Sequence, residues 1–145
     1  MYLENSCNLD MGGKAGVINI CKETLSNDNF RTAIWTGKYL QITVMSIPVG
    51  GEIGLEMHDN LDQLLCIENG CADVFMGKCK DELKFIGRVN SNFVIIVPSG
   101  TWHNVKNASN CPLKLYSVYA PPNHPFGTVH KTKQDSDRAD YWFIL

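Results

Sequence analysis

Apolar and polar residues alternate in short runs along most of the chain, and Gly or Asn residues separate the runs. Alternation with a period of two is typical of strands that bury one face. The predicted strands cover residues 17–20, 31–35, 39–47, 53–58, 63–68, 71–76, 84–89, 93–97, 102–106 and 113–119. Short, evenly spaced strands of this kind predict an all-β sandwich or barrel. Asn69-Gly70 predicts a tight β-hairpin, because these two residue types tolerate the positive φ values of a type I′ turn.

The two ends of the chain differ from this central region. Residues 1–29 are predicted to form an N-terminal arm, and residues 30–122 are predicted to form the barrel. After Pro121-Pro122 we expect an irregular segment, 123–145, which is charged over 131–140 and ends in five bulky apolar residues. Leaving that apolar tail in water is unfavourable by ~1.5–3 kcal/mol per side chain. We therefore expect it to dock onto the body or onto a neighbouring subunit.

Composition narrows the functional classes. The chain has 145 residues, with 13 Lys+Arg against 15 Asp+Glu and a formal net charge of -2. This balance argues against a nucleic-acid or anionic-membrane partner, since both need a basic surface. No signal-like start or apolar run of ~20 residues is present, so a cytoplasmic protein is expected. No pair of the six cysteines has C-x-x-C spacing, and we interpret them mostly as small buried apolar residues.

Four histidines, at positions 58, 103, 124 and 130, limit where metal or acid–base chemistry can take place. Glu56 and His58 stand two apart on a predicted strand, so their side chains share a face. If residues 59–62 form a four-residue loop, Gln63 becomes the cross-strand neighbour of His58. The turn at 98–101 leads into a strand that begins Trp102-His103, and in a closed β-architecture His103 can face the other three.

The spacing of these residues resembles the two sequence motifs of the cupin superfamily. The second motif, P-x-G-x-x-H-x-x-x-N, is matched by Pro98, Gly100, His103 and Asn107, although Asn92 replaces the Gly that usually opens it. The first motif, G-x5-H-x-H-x4-E-x6-G, is matched by Gly50, His58 and Gly70, with Glu56 in place of its first His and Gln63 in place of its Glu. The stretch from Phe30 to His130 also resembles small cupins of the mannose-6-phosphate-isomerase-like group.

The resemblance implies a double-stranded β-helix (a jelly-roll-like barrel) with one divalent metal ion at its mouth. Carried over by position, the metal ligands are Glu56, His58, Gln63 and His103. An amide oxygen is a weaker donor than a carboxylate, which leaves two histidines and one carboxylate as the principal set. Such a set binds Fe(II), Mn, Ni or Zn with open positions. The alternative is a cupin without metal, in which Glu56 and Gln63 only make polar contacts inside the barrel.

Three functions are compatible with this site. The first is an enzyme that isomerises or epimerises a small polar, sugar-like molecule, and the second is a non-haem iron dioxygenase. The third is a non-catalytic cupin that binds a small ligand. Glu56, His124 and His130 are the candidate catalytic residues, the latter two as acid–base groups on a segment that closes over the site or as surface histidines. A homodimer is expected, because open sheet edges are commonly covered by a neighbour and similar cupins are usually dimers.

Overall fold

Two antiparallel β-sheets form the body of the described chain. The computed structural model describes residues 10–142, and side chains up to residue 140. The elements are α1 (Ile20–Ser26), β1 (Arg31–Thr36), β2 (Gln41–Ile47), β3 (Asp62–Asn69), β4 (Ala72–Gly77), β5 (Lys84–Val89), β6 (Val94–Val97), β7 (Trp102–Asn107), β8 (Leu113–Ala120), β9 (Val129–His130) and α2 (Lys133–Trp142). One sheet has the order β6-β3-β8-β2-β1-β9, and the other has the order β5-β4-β7. Eight of the ten predicted strands are present, within two residues at each end.

The inner faces of the strands change character along their length. On β8, Leu113 and Leu115 are completely buried in the apolar core, whereas Ser117 and Tyr119 lie further along the same face. The neighbouring β2 and β3 show the same change, with buried Gln41 and Gln63 aligned with Tyr119 in the sheet register. Apolar residues therefore fill one end of the barrel and fix the sheets together. The other end presents buried polar groups, which require partners there.

The sequence-based prediction is wrong for two strands. Residues 17–20 were expected to be a strand, but Asn19 caps helix α1 by accepting a hydrogen bond from the Lys22 amide at 3.0 Å. Residues 53–58 form no continuous strand. The segment that begins at Glu52 instead makes two isolated bridges to β7, Glu52–Lys106 and Glu56–His103.

The predicted hairpin at Asn69-Gly70 is also wrong. β3 belongs to the six-stranded sheet and β4 to the three-stranded sheet, and the two strands do not pair. Of these two residues only Gly70 has a positive φ, of 86°, whereas a type I′ turn needs a positive φ at both. The chain instead passes from one sheet to the other here.

Asn92, at the motif position where cupins usually carry Gly, has a φ of 75°. That left-handed conformation explains the preference for Gly, and Asn is among the residues that tolerate it best.

The C-terminal segment, predicted to be irregular, contains β9 and helix α2. Thr132 and Asp135 form a reciprocal capping box: the Thr132 Oγ1 accepts from the Asp135 amide at 3.1 Å, and Asp135 Oδ2 accepts from the Thr132 amide at 3.2 Å. Lys133 and Asp137 add an ion pair of 2.9 Å one turn apart. The prediction of an irregular segment is therefore wrong for residues 133–142, which form a short capped helix despite their charged composition. None of the five side chains of the apolar tail, 141–145, is among the described ones, and residues 1–9 of the predicted arm lie outside the described residues.

The cysteines are less buried than predicted. Cys21 and Cys79 are exposed, and Cys66, Cys71 and Cys111 are partly exposed. Cys66 faces outward because its neighbours on β3, Leu65 and Ile67, occupy the core-facing positions. Cys7 lies outside the described residues. Within residues 10–142, no helix is long and apolar enough to cross a membrane.

Candidate metal centre

Glu56 and His103 face each other across a short β-bridge. Each donates its backbone amide to the other's carbonyl, at 3.0 and 2.9 Å, so that segment 52–56 is fastened beside β7. The His103 ring is fully buried, and its Nδ1–H donates to the Thr101 carbonyl at 3.0 Å. This bond directs Nε2 toward Glu56, where it lies 3.3 Å from Oε1. A backbone carbonyl that fixes the tautomer and ring orientation of a histidine is the usual support for a metal ligand.

His58 joins this pair from the end of the same segment. Its carbonyl accepts a hydrogen bond of 2.7 Å from the Gly100 amide, and the turn that carries Gly100 is also held by Asp62, which accepts from the Ser99 amide at 3.0 Å. The His58 Nε2 lies 3.6 Å from Glu56 Oε1, and its ring centroid lies 5.8 Å from that of His103. The turn residues at 98–101 therefore bring the two imidazoles together.

The ligand atoms of Glu56, His58 and His103 all lie within 4.8 Å of one another. Burial acts to raise the pKa of Glu56, but the hydrogen bond from His103 and the nearby charges of His103 and His58 hold it well below its usual range. Burial acts to lower the pKa of His103, but its hydrogen bonds to Glu56 and Thr101 raise it overall. Glu56 is therefore a carboxylate at neutral pH, as a metal ligand must be.

Gln63 comes from the opposite sheet, which corrects its predicted position. It was expected to be the cross-strand neighbour of His58, but it pairs with Val97 and Tyr119 within the six-stranded sheet. Its Nε2 donates to Ser117 Oγ at 2.8 Å, and its Oε1 is buried with no hydrogen-bond partner. Tyr119, the neighbour of Gln63, lies edge-on to His58 with ring centroids 6.1 Å apart. The two sheets thus enclose the site from opposite sides.

Two buried atoms without hydrogen-bond partners indicate that these residues fit a divalent ion. His58 Nε2 and Gln63 Oε1 both lack a hydrogen-bond partner, and buried polar atoms of a native protein rarely do. Both are lone-pair donors of the kind that metal ions use. Two imidazoles and one carboxylate form a set that suits Fe(II), Mn, Ni or Zn. The residues fit the ion that the sequence predicts, and they do not select one metal.

A cavity of about 440 Å³ opens beside this cluster. Its lining includes Glu56, Met57 and His58. Three other parts of the chain also line it, through Arg31, Asn123, His124, Pro125, Thr128, His130, Ala139 and Asp140. The volume is in the range of small-molecule sites. The structure therefore brings the two remaining histidines, 124 and 130, to the same cavity as the metal cluster.

Gln41 holds His124 in this position. Its Oε1 accepts from the backbone amides of Asn123 and His124, at 3.1 and 2.9 Å, and its Nε2 donates to the His124 carbonyl at 2.8 Å. The His124 ring packs edge-on against Tyr119, with Nε2 at 3.3 Å from the hydroxyl. Burial, with the nearby positive charge of Arg31, lowers the pKa of His124 to about 3. His124 is therefore a neutral imidazole at pH 7.

His130 lies on β9 next to Arg31 on β1, and both are buried. Arg31 Nη1 lies 3.2 Å from His130 Nδ1, and since a guanidinium only donates, Nδ1 is the acceptor. Burial and the charge of Arg31 lower the pKa of His130, so this ring is neutral too. Burial also raises the pKa of Asp140, on α2.

Sequence reasoning did not identify Arg31, Gln41 or Asp140. An arginine and a glutamine that each begin a strand of otherwise buried residues are the signal that could have pointed to the first two. Asp140 had no such signal, because its position depends on how α2 packs against the barrel.

Comparison with known proteins places the chain among close relatives. It is 57% identical over 131 residues to the uncharacterized protein YrkC of Bacillus subtilis (strain 168), with 90% of this chain and 70% of YrkC covered. The crystal structure of BH2720 from Bacillus halodurans is similar, with a TM-score of 0.88, 52% identity, and coverage of 90% of this chain and 98% of BH2720. No protein-family model matches the chain.

More distant structures identify the fold. The cupin domain of Cnp3 from Schizosaccharomyces pombe matches with a TM-score of 0.55 and 20% identity, over 63% of this chain and 60% of that one. At this identity the similarity concerns the fold alone. The predicted all-β cupin fold is confirmed, whereas membership of the mannose-6-phosphate-isomerase-like group stays a prediction.

Proposed function

The chain belongs to the family of Bacillus subtilis YrkC, and from this premise we propose that it is a metal-dependent enzyme that isomerises or epimerises a small polar molecule. The observation that carries the proposal is the convergence of Glu56, His58 and His103 beside a cavity of about 440 Å³. Such a cavity is large enough for a small organic substrate, and its walls carry titratable groups in addition to the ligand set.

Glu56, His58 and His103 would hold the ion, with the amide oxygen of Gln63 as a weaker fourth donor. A divalent ion held there supplies Lewis acidity, which polarises a substrate oxygen and acidifies the adjacent C–H bond. Gln63 Nε2 remains bonded to Ser117, so the amide is already turned with its oxygen free. Tyr119 and His124 close the site on the β8 side and restrict water there.

Proton transfer needs a group that is not occupied as a ligand. Glu56 is committed to the two histidines, and the Nδ1 of His130 is occupied by Arg31. His124 is neutral and faces the cavity, but its low pKa makes it a weak base. Asp140 also lines the cavity, and its raised pKa makes it a stronger base than an ordinary carboxylate. We assign the proton transfer to Asp140, with His124 as a hydrogen-bonding partner of the substrate.

The test of the ligand set is metal content by elemental analysis, on protein purified without a metal-affinity step. We expect close to one divalent ion per chain, and loss of that ion in His58→Ala, His103→Ala and Glu56→Gln. Glu52→Gln is the matched control. Glu52 lies four residues before Glu56 and also bridges to β7, but its side chain contacts Asn104 and Lys106. Less than ~0.1 ion per chain after incubation with Zn, Mn, Fe(II) or Ni salts refutes the metal site.

The donor set itself favours a second candidate, a non-haem iron dioxygenase, because two histidines and one carboxylate with open positions are typical of such enzymes. Two measurements distinguish the candidates. Incorporation of solvent deuterium into the substrate without O2 consumption supports isomerisation. Substrate-dependent O2 uptake by the iron form supports the dioxygenase.

A further inference from the structure

Arg31 places a buried positive charge in the wall of the same cavity. The residue is 3% exposed, and it begins β1 between β2 and β9. Its Nη1 donates to Ser136 Oγ at 2.6 Å and to His130 Nδ1 at 3.2 Å. The guanidinium carbon also lies 5.3 Å from the centre of the Phe30 ring. All of these partners are neutral.

No carboxylate of the described side chains lies within 4.0 Å of this guanidinium. A buried charge without a counter-ion is strongly unfavourable, and a guanidinium cannot escape by losing its proton. Its contacts through Nη1 and the aromatic ring offset only part of that cost. Arg31 Nε is buried and has no hydrogen-bond partner at all. Arg31, the residue that carries this cation and the unused donor, lines a cavity that a small molecule can enter.

We propose that Arg31 binds the carboxylate of a small organic acid. A hydroxyl or oxo oxygen on the neighbouring carbon of that acid is then the group presented to the metal at Glu56, His58 and His103. Arginine recognises carboxylates through paired N–H donors, and Nε belongs to one edge of that planar fork. A 2-hydroxy or 2-oxo acid has both groups on adjacent carbons. This inference rests on the proposed function and specifies its substrate class.

The charges around the cavity favour a carboxylate over a phosphate. Arg31 is the one arginine or lysine among the described residues that line it, and His124 and His130 are neutral. Glu56 and Asp140 line it with opposite charge. With a divalent ion bound, the charges of the ion and Arg31 exceed those of Glu56 and Asp140 by one positive charge, which a monoanion balances and a phosphate dianion exceeds.

The experiment uses the full chain loaded with Zn(II), which is diamagnetic, and compares glycolate with its neutral amide, glycolamide, and with inorganic phosphate. The Arg31 Nε–H cross-peak in a 15N-correlated spectrum reports the contact directly, without any substitution. We expect glycolate to shift that cross-peak and glycolamide to leave it in place. Arg31→Gln should weaken glycolate binding on the order of tenfold to a hundredfold, while Zn(II) content stays the same.

If Arg31→Gln does not fold, Arg31→Lys takes its place, because it keeps the buried charge. This variant should still lose most of its affinity for glycolate, because Lys lacks the planar fork of donors. Arg88→Gln is the matched control, since Arg88 is exposed and pairs with Asp73 on the other sheet. Equal binding of glycolate and glycolamide, an unmoved Nε–H signal, or tighter binding of phosphate overturns the assignment of Arg31. Failure of the wild type to take up Zn(II) or another divalent ion overturns the proposed function instead, and the two failures are thus separable.

Discussion

Gln63 is the predicted ligand at which this chain departs from the cupin motif in charge. The motif places a carboxylate ligand there, and the structure places an amide oxygen that is buried and unpartnered. Because an amide oxygen carries no net charge, we expect Gln63→Ala to weaken metal affinity about tenfold rather than to abolish it. Gln63→Glu should strengthen it, since the substitution adds the carboxylate that the motif usually supplies. Both effects are measured by competition with a chelator of known affinity.

Gln134, which is exposed on α2, provides the matched Gln→Ala control for this measurement. If Gln63→Ala loses metal as completely as His58→Ala does, the amide is a full ligand and our ranking of the donors is wrong.

His124 links the site to the stability of the fold. Its pKa is about 3 in the folded state, against about 6.5 for an unperturbed histidine. Between these values the unfolded chain binds more protons than the folded one, so the stability that neutral His124 contributes is present above about pH 6.5 and is lost as the pH falls. We expect His124→Asn to reduce the loss of unfolding free energy between pH 7 and pH 5 by roughly 1–2 kcal/mol. Urea denaturation at both pH values measures it.

The pKa of His130 is also lowered, so a smaller acid-dependent loss should remain in the His124 variant. An unchanged difference between pH 7 and pH 5 would mean that His124 is not buried as a neutral ring.

At the level of elements, Asn107 ties the end of β7 to two other segments. Its Nδ2 donates to the carbonyls of Ile47, Pro48 and Cys111 at 2.9–3.1 Å. Its Oδ1 accepts from the amide and hydroxyl of Ser109 at 2.8 and 2.6 Å. Asn107 completes the second cupin motif, yet these contacts give it a structural role. We expect Asn107→Ala to lower the free energy of unfolding by about 2–3 kcal/mol, measured by urea denaturation, with metal stoichiometry unchanged.

Asn110 is exposed in the same loop and serves as the control. A loss below ~0.5 kcal/mol in Asn107→Ala, no larger than that of Asn110→Ala, would contradict this role.

Alternation and turn residues were sufficient to predict the existence of most strands, but not their pairing. The hairpin at Asn69-Gly70 and the strand at 53–58 were wrong for one reason: each depends on which distant strand lies alongside, and β7 was the partner in the second case. The same limit applies to the site. Glu56, His58 and His103 could be predicted from motif spacing, whereas Arg31 and Asp140 reach the cavity from β1 and α2 only through tertiary packing.

On the scale of the whole molecule, the outer face of β3 and β6 remains to be accounted for. Leu64 and Ile96 are opposite each other in register, Val94 lies two residues further along, and they are 39%, 61% and 48% exposed. β6 is also the edge of its sheet, and an exposed apolar edge is a surface on which chains associate. We expect this face to form the interface of a homodimer.

The double variant Leu64→Glu/Ile96→Glu should be a monomer in multi-angle light scattering at micromolar concentration. Val49→Glu, at an exposed apolar residue in a turn, should leave the dimer intact. A monomeric wild type, or a double variant that still dimerises, would exclude this face as the interface, and the open edge of β5 would become the next surface to test.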